Sequence, residues 1–261
     1  MVKYTRSLLN SMLHSLRQAA AEGSARLNEE FHNDLAWFRA FTKQALVPFP
    51  LVPSQRPQFR VEVDSSLSGG GAICSGKAII FDYDDQMLVQ AAAHPCTPSL
   101  CHNCHPHLIP PNSITGSRAY STTYDNATLT AATVTSAAGE AKPCISILEL
   151  ANATAALLYF ADTFRGNRVL LCCDNSSSVQ VLTTGRANSP QMARLVRKAW
   201  LVCAINAIDL TASHVPGTSM IRPDALSRLG RAPAYDKIVE ELISQGVEVM
   251  YPEPSIIAQC F

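Results

Sequence analysis

Four acidic side chains occupy settings from which a fold could gather them. They are Asp64 in Val63-Asp64-Ser65-Ser66, Glu149 in Ile147-Leu148-Glu149-Leu150, Asp174 in Cys172-Cys173-Asp174-Asn175, and Asp224 in Pro223-Asp224-Ala225-Leu226. Three follow apolar stretches of strand or helix-opening character, and the fourth opens a final amphipathic segment. Brought to one edge of a sheet, four carboxylates would repel one another unless divalent cations lay between them. Magnesium suits such a site because it takes carboxylate oxygens and retains waters, with manganese as a substitute, whereas thiolates are set aside as ligands. Two such ions, roughly 3.5–4 Å apart, can activate a water and stabilise a leaving oxyanion, which is the outline of a metal-dependent nuclease. Three of the acids also have a plainer reading. Ser146-x-x-Glu149 has the spacing of a capping box, and Asp174 and Asp224 could each cap the helix that follows. Asp64 is harder to dismiss, since a carboxylate near the middle of a sheet is costly unless paired or metal-bound.

The elements that must position these acids are legible from periodicity. Leu8, Leu9, Met12, Leu13 and Leu16, then Leu27, Phe31, Leu35, Phe38 and Phe41, recur at helical spacing and predict two helices over 5–45. Pro48, Pro50, Pro53 and Pro57 follow as a stiff linker, so residues 1–55 read as a helical tether. From Phe59 the period changes to two, and three antiparallel strands with short turns are expected through Phe81. Residues 84–140, rich in Pro, Ser, Thr, Ala and Asn, read as a long irregular insertion. A helix then opens at Ser146 and runs through Leu157, Leu158 and Phe160. Val169-Leu170-Leu171-Cys172-Cys173 has the continuous apolar character of a buried parallel strand. A helix after Asp174, another through Met192, Leu195, Val196 and Trp200, a strand around Ile208–Ala212 and a helix near Asp224 complete the order. The expectation is an α/β domain over 56–230, a five-stranded mixed sheet flanked by helices, followed by a C-terminal extension over 231–261 that carries a short helix and strand.

Composition limits the alternatives. The 261 residues are 47% hydrophobic and 16% charged, which favours one main globular domain over a disordered chain. A net charge of zero does not mark a nucleic-acid binder, but Arg165, Arg168, Arg186, Arg194, Arg197, Lys198, Arg222, Arg228 and Arg231 crowd the second half. Such a run is ordinarily a solvated face, and it supports phosphate contact only beside a nuclease site. No signal peptide or membrane span is readable at the N-terminus, so an intracellular location, cytoplasmic or nuclear, is expected, without membrane or secretion. The nine cysteines, an odd number without framework spacing, read as reduced thiols.

The order of elements and acids resembles the ribonuclease H fold, and the motifs resemble one branch of it. Val63-Asp64-Ser65-Ser66-Leu67-Ser68-Gly69-Gly70-Gly71-Ala72 is similar to the first-strand motif of retroelement ribonuclease H domains. Ile147-Leu148-Glu149-Leu150 is similar to their helix motif, and Cys173-Asp174-Asn175 to their Asp-Asn strand end. His214-Val215-Pro216-Gly217 followed by Asp224-Ala225-Leu226-Ser227-Arg228 resembles a signature of reverse-transcriptase polyproteins. Asp34-Leu35-Ala36-Trp37-Phe38 before a Pro-rich linker looks like the connection found in retrotransposons of the tyrosine-recombinase (DIRS-like) type. The resemblance spans roughly 27–230, and it departs from the family at Pro223, where Ala is usual, and in Thr218-Ser219-Met220-Ile221, which lacks an Asn.

That resemblance implies cleavage of the RNA strand of an RNA–DNA hybrid, whose 2′-hydroxyl marks the strand to be cut. It implies two magnesium ions shared by Asp64 and Asp174 and completed by Glu149 and Asp224, with His214 shuttling a proton or easing product release. Asn175, Arg194, Arg197, Lys198 and Arg228 are the candidate contacts to nucleic acid, and a polymerase domain in a parent polyprotein is the expected partner. Two other readings stay open: a degenerate or domesticated binding fragment, and a DNA-cleaving nuclease of the same superfamily.

Two further signals tempt. Tyr83-Asp84-Asp85 approximates a polymerase Tyr-x-Asp-Asp motif but lacks the spacer and lies on the wrong side of the first acid. Cys101-x-x-Cys104 has zinc-ligand spacing, and Cys96 and His107 could complete a tetrahedral site. No second pair stands at finger spacing, so a Pro-rich loop with chance Cys and His is the simpler reading and zinc is not expected.

Overall fold

The alternation that begins at Phe59 becomes β1 (Phe59–Ser65), in which Val61 and Val63 are fully buried. In the computed structural model, residues 56–92, 143–187, 189–230 and 234–261 are described, with scattered positions between 12 and 43. β1 pairs antiparallel with β2 (Gly69–Cys74), and β2 with β3 (Lys77–Asp82). The β2–β3 turn is Ser75-Gly76 with φ of 47° and 78°, the positive values that a two-residue type I′ hairpin turn requires. The apolar run becomes β4 (Arg168–Cys173), parallel to β1, and β5 (Asp209–His214) runs parallel beside it. Among the described residues the sheet order is β5-β4-β1-β2-β3-β6, six strands where five were expected. The sixth, β6 (Glu248–Met250), is the short strand of the C-terminal extension, and it joins the sheet parallel to β3 at the edge rather than standing apart from the domain. Register sets Val63 beside Cys173 and Cys173 beside His214, so β1, β4 and β5 end side by side.

Helices cover both faces: α1 (Asp85–Ala92), α2 (Ile145–Tyr159), α3 (Ala161–Phe164), α4 (Ser176–Thr184) and α5 (Pro190–Ile205) precede α6 (Ile221–Ser227), α7 (Ala234–Ser244) and α8 (Pro254–Ala258). On one face Val61, Val63, Val169 and Leu171 pack with Ile147, Leu148, Leu150 and Leu157 of α2 and with Val196 and Trp200 of α5. On the other, Ala78 and Ile80 pack with Ala225 and Leu226 of α6 and Ile238 and Leu242 of α7. α2 is buried without interruption from Ser146 to Leu157, because the sheet, α5 and α8 enclose it. A helix apolar nearly all round suits that position. It also carries Ser146, Glu149, Asn152 and Thr154 into the interior, where each polar group needs a partner.

The start of the expected irregular insertion is regular. Asp84 accepts the Met87 N–H at 2.8 Å, as an N-cap side chain does, and α1 buries Met87 and Ala91 one turn apart. The polymerase-like triplet is therefore structural: Tyr83 is buried, with its hydroxyl 2.9 Å from Ser65 Oγ. Residues 93–142, including Cys96, Cys101, Cys104 and His107, lie outside the described residues, as do Pro48, Pro50 and Pro53. Among the described residues the cysteines are free thiols, and no helix is long and apolar enough to cross a membrane.

Candidate active site

Asp64 stands near the end of the central strand, 5% exposed, with its carboxylate against α6. The fully buried Ser227 hydroxyl lies 2.9 Å from both Asp64 Oδ2 and the Asp224 carbonyl, so its single hydrogen serves two acceptors. Glu149 comes from α2: its Oε1 accepts the Ser65 N–H at 3.2 Å and its Oε2 the Cys173 thiol at 3.6 Å. Asp174 follows β4, and its Oδ2 closely approaches Gly217, where an added Cβ would sit 2.8 Å away. The glycine of His-Val-Pro-Gly thus makes room for a carboxylate.

None of the acids acts as a helix N-cap. The N-cap of α2 is Cys144, with no side-chain capping bond, so Ser146 and Glu149 form no capping box. The N-cap of α4 is Asn175, whose Oδ1 accepts the Ser178 N–H at 3.0 Å, and that of α6 is Met220. α6 begins at Ile221, ahead of the expected start near Asp224, and Pro223 sits in its first turn, where a missing N–H is tolerated. Asp224 occupies that same turn, and its N–H donates to the Met220 carbonyl at 2.9 Å.

Burial pushes the Asp64 carboxyl up to about 7, and Asp174 and Asp224 add to the rise against the Ser227 hydrogen bond and the Arg228 charge. Glu149 is held well above the ordinary carboxylate range by burial, then by Asp64 and Asp174; the Ser65 N–H and the Cys173 thiol oppose this. Asp174 is raised by burial and by Asp224, with the His214 charge pulling the other way. Ligand atoms of Glu149, Cys173 and Asp174 lie within 4.8 Å of one another. The carboxylate oxygens of this set suit hard divalent cations, whose charge would offset the burial and the mutual repulsion that raise these carboxyls. Thiolates were set aside on sequence grounds, and the structure nonetheless seats the Cys173 sulfur here. Burial and the Glu149 charge keep it protonated.

No protein-family model matches this sequence, and no curated protein matches it. Among solved structures, the chain is similar to LC11-RNase H1, isolated from compost by a metagenomic approach. The two share 15% sequence identity, over 70% of this chain and 99% of that one, with a TM-score of 0.34.

His214 ends β5 in register with Cys173 and is near enough to Asp174 to act on its charge. Arg228 is committed to Asp224: its Nε lies 3.1 Å from both carboxylate oxygens, one turn further along the chain. The other candidate nucleic-acid contacts divide. Arg194 is exposed, lining a small cleft with Gln191, Cys260 and Phe261 in which no acid of the cluster takes part. Lys198 donates to the Gln259 carbonyl. Arg197 and Asn175 are only 5% and 3% exposed; Arg197 lies on the inner side of α5, and Asn175 is engaged in capping α4 and bonding Ser146.

Sequence reasoning gave no role to Ser227, Ser65, Cys173, Asn152 or Gly217. Ser227 and Gly217 stood inside quoted motifs, and their three- and seven-residue separations from Asp224 could have marked them as neighbours of the site. Ser65 and Cys173 adjoin acids in the sequence. Asn152 follows Glu149 by three residues, the spacing that places two side chains on one helix face.

Proposed function

We propose that this chain hydrolyses the RNA strand of RNA–DNA hybrids, using two divalent cations held by Asp64, Glu149, Asp174 and Asp224. The observation that carries the reading is the convergence of acids from β1, α2, the end of β4 and α6 into one electrostatically coupled group, none of them an N-cap. Magnesium or manganese bound there would supply the Lewis acidity that activates a water and stabilises the leaving oxygen.

The chain's own residues then have distinct tasks. Ser227 engages one oxygen of Asp64 and leaves the other outside that bond. The Ser65 N–H and the Cys173 thiol hold one oxygen each of Glu149. Arg228 balances the charge of Asp224 at the rim. His214, exposed at the end of β5, is placed to carry a proton to or from solvent beside Asp174. The order of motifs, above all His214-Val215-Pro216-Gly217 before Asp224-Ala225-Leu226-Ser227-Arg228, supports descent from a retrotransposon reverse transcriptase. In that setting a polymerase domain would be its partner within a polyprotein, residues 1–55 its tether, and the cytoplasm or nucleus its place of action.

The test is incubation of the chain in magnesium with labelled RNA–DNA hybrid, single-stranded RNA and duplex DNA, beside Asp174→Asn. Cleavage of the hybrid alone, lost in the variant, is expected. Cleavage of duplex DNA would move the assignment to a DNA nuclease, and binding without cleavage would make the chain a nucleic-acid-binding relic.

A further inference from the structure

Asn152 is fully buried on α2, one turn beyond Glu149, and its side chain does something no sequence motif announces. Its Nδ2 donates to the Asp64 carbonyl at 2.8 Å and to the Gly71 carbonyl at 3.1 Å. Asp64 and Gly71 are cross-strand partners in the β1–β2 ladder, so a single amide group bridges the two strands beside the first acid of the site. The amide orientation follows from the network, because the reverse assignment would aim Oδ1 at two carbonyl oxygens.

Access for this bridge comes from Gly70. An added Cβ there would collide with Asn152 Oδ1 and Cγ and with the Tyr83 hydroxyl, so α2 reaches the ladder through the space a side chain would fill. At the neighbouring Gly71 an added Cβ would instead meet Pro223, Leu226 and Ser227 of the α6 segment on the opposite face. Asn152 therefore grips the Asp64 backbone from the α2 side while Ser227 grips its carboxylate from the α6 side.

The arrangement carries a cost. Asn152 Oδ1 has no hydrogen-bond partner although it is buried, which disfavours the fold relative to a satisfied or apolar side chain. Thr154, two residues on, shows the untroubled alternative, with its hydroxyl satisfied by the Leu150 carbonyl at 2.7 Å within the helix. A buried amide with one half orphaned and the other half fixed on the backbone of Asp64 is poorly explained by stability alone.

We propose that Asn152 is a positioning residue, which fixes the Asp64 peptide so that the Asp64 carboxylate keeps its place against three neighbouring acids when divalent cations bind. The inference rests on the metal-binding part of the function proposed above. Without the amide bridge, the peptide after Asp64 can tilt, and the carboxylate it carries loses its alignment with Glu149 and Asp174.

The experiment compares the intact chain with Asn152→Leu and Asn152→Ala, with Thr154→Val as a buried-polar control on the same helix. For each, thermal unfolding is measured without metal, and manganese affinity is measured by calorimetry below its own melting temperature. Both Asn152 variants are expected to stay folded and to bind manganese about 10–100-fold more weakly, the range typical of lost outer-sphere support. Thr154→Val should lose stability and keep its affinity. Parental manganese affinity in folded Asn152→Leu or Asn152→Ala would overturn the proposal, and failure of both to fold would reduce Asn152 to a structural residue. Failure of the parental chain to bind manganese would instead sink the function proposed above. Cleavage of hybrid by the parent, with unchanged affinity in the Asn152 variants, would leave that function standing and remove only the role of Asn152.

Discussion

The Ser227 hydroxyl reaches Asp64 Oδ2 at 2.9 Å, tying the end of α6 to the central strand across 163 positions of sequence. Asp64 is otherwise pushed toward protonation by burial and by two neighbouring acids, and this bond opposes both. Ser227→Ala should therefore raise the Asp64 carboxyl further and move the acid limb of the cleavage pH profile upward. A stability loss of about 1–3 kcal/mol should accompany it, the usual consequence of removing one partner of a buried hydrogen bond. A profile that does not move would show that Asp64 does not depend on Ser227.

Without metal the cluster should make stability fall as pH rises. Asp64 goes from 3.8 to about 7 on folding, and Glu149 moves in the same direction, so between those values the folded chain binds more protons than the unfolded one. The Asp64 contribution is thus fully present below about pH 4 and lost as pH rises through about 7, and Glu149 acts in the same direction. For Asp64 alone the swing is at most about 4 kcal/mol. The melting temperature without metal should drop by several degrees from pH 5 to pH 8, and magnesium should restore it. A melting temperature that rises over that interval would contradict the burial and coupling of these acids.

The same repulsion sets stability against activity. Asp64→Asn removes a buried charge that is repelled by Asp174 and Asp224 while keeping an acceptor for Ser227. Metal-free protein at pH 8 should melt higher in this variant than in the parent, and hybrid cleavage should disappear. A variant that melts lower, with its cleavage retained, would remove Asp64 from the site.

Much of the framework was legible because it is local. Alternation at Phe59–Val63, the apolar run before Asp174 and the helical spacing at Met192–Trp200 each report an element within a short stretch of sequence. The short strand expected beyond residue 231 was not counted in the sheet, because three residues cannot show a period or a pairing partner, and α1 escaped because the Pro- and Ser-rich chain beyond it masked the capping Asp84. Around the acids the limit was different. Each of Glu149, Asp174 and Asp224 stood where a cap could stand, and only the position of Cys144, Asn175 and Met220 at the helix starts decides against it. The burial of Arg197 and Asn175 was not legible, because a basic run and a polar residue after a strand say nothing of which way they face. The bonds from Asn152 and Ser227 to Asp64 join residues far apart in the chain, and no spacing rule foretells them.

Gly217 offers a test confined to one carboxylate. An alanine Cβ there would lie 2.8 Å from Asp174 Oδ2, closer than such contacts allow, whereas Gly217 itself is exposed and its φ does not require glycine. The atom that must yield is the far end of the Asp174 side chain, so the strain is relieved by turning the carboxylate and leaves the core untouched. Gly217→Ala should hence keep its melting temperature within a degree or two, since surface changes away from buried groups move stability by about 0.5 kcal/mol or less. Cleavage should fall by up to about 100-fold, the scale of loss when a reacting group is displaced by an ångström. Asp174→Asn in the Gly217→Ala background should then cost less than it does in the parent, because the carboxylate is already out of place. Full activity in Gly217→Ala would mean that the orientation of Asp174 toward Gly217 has no part in the reaction.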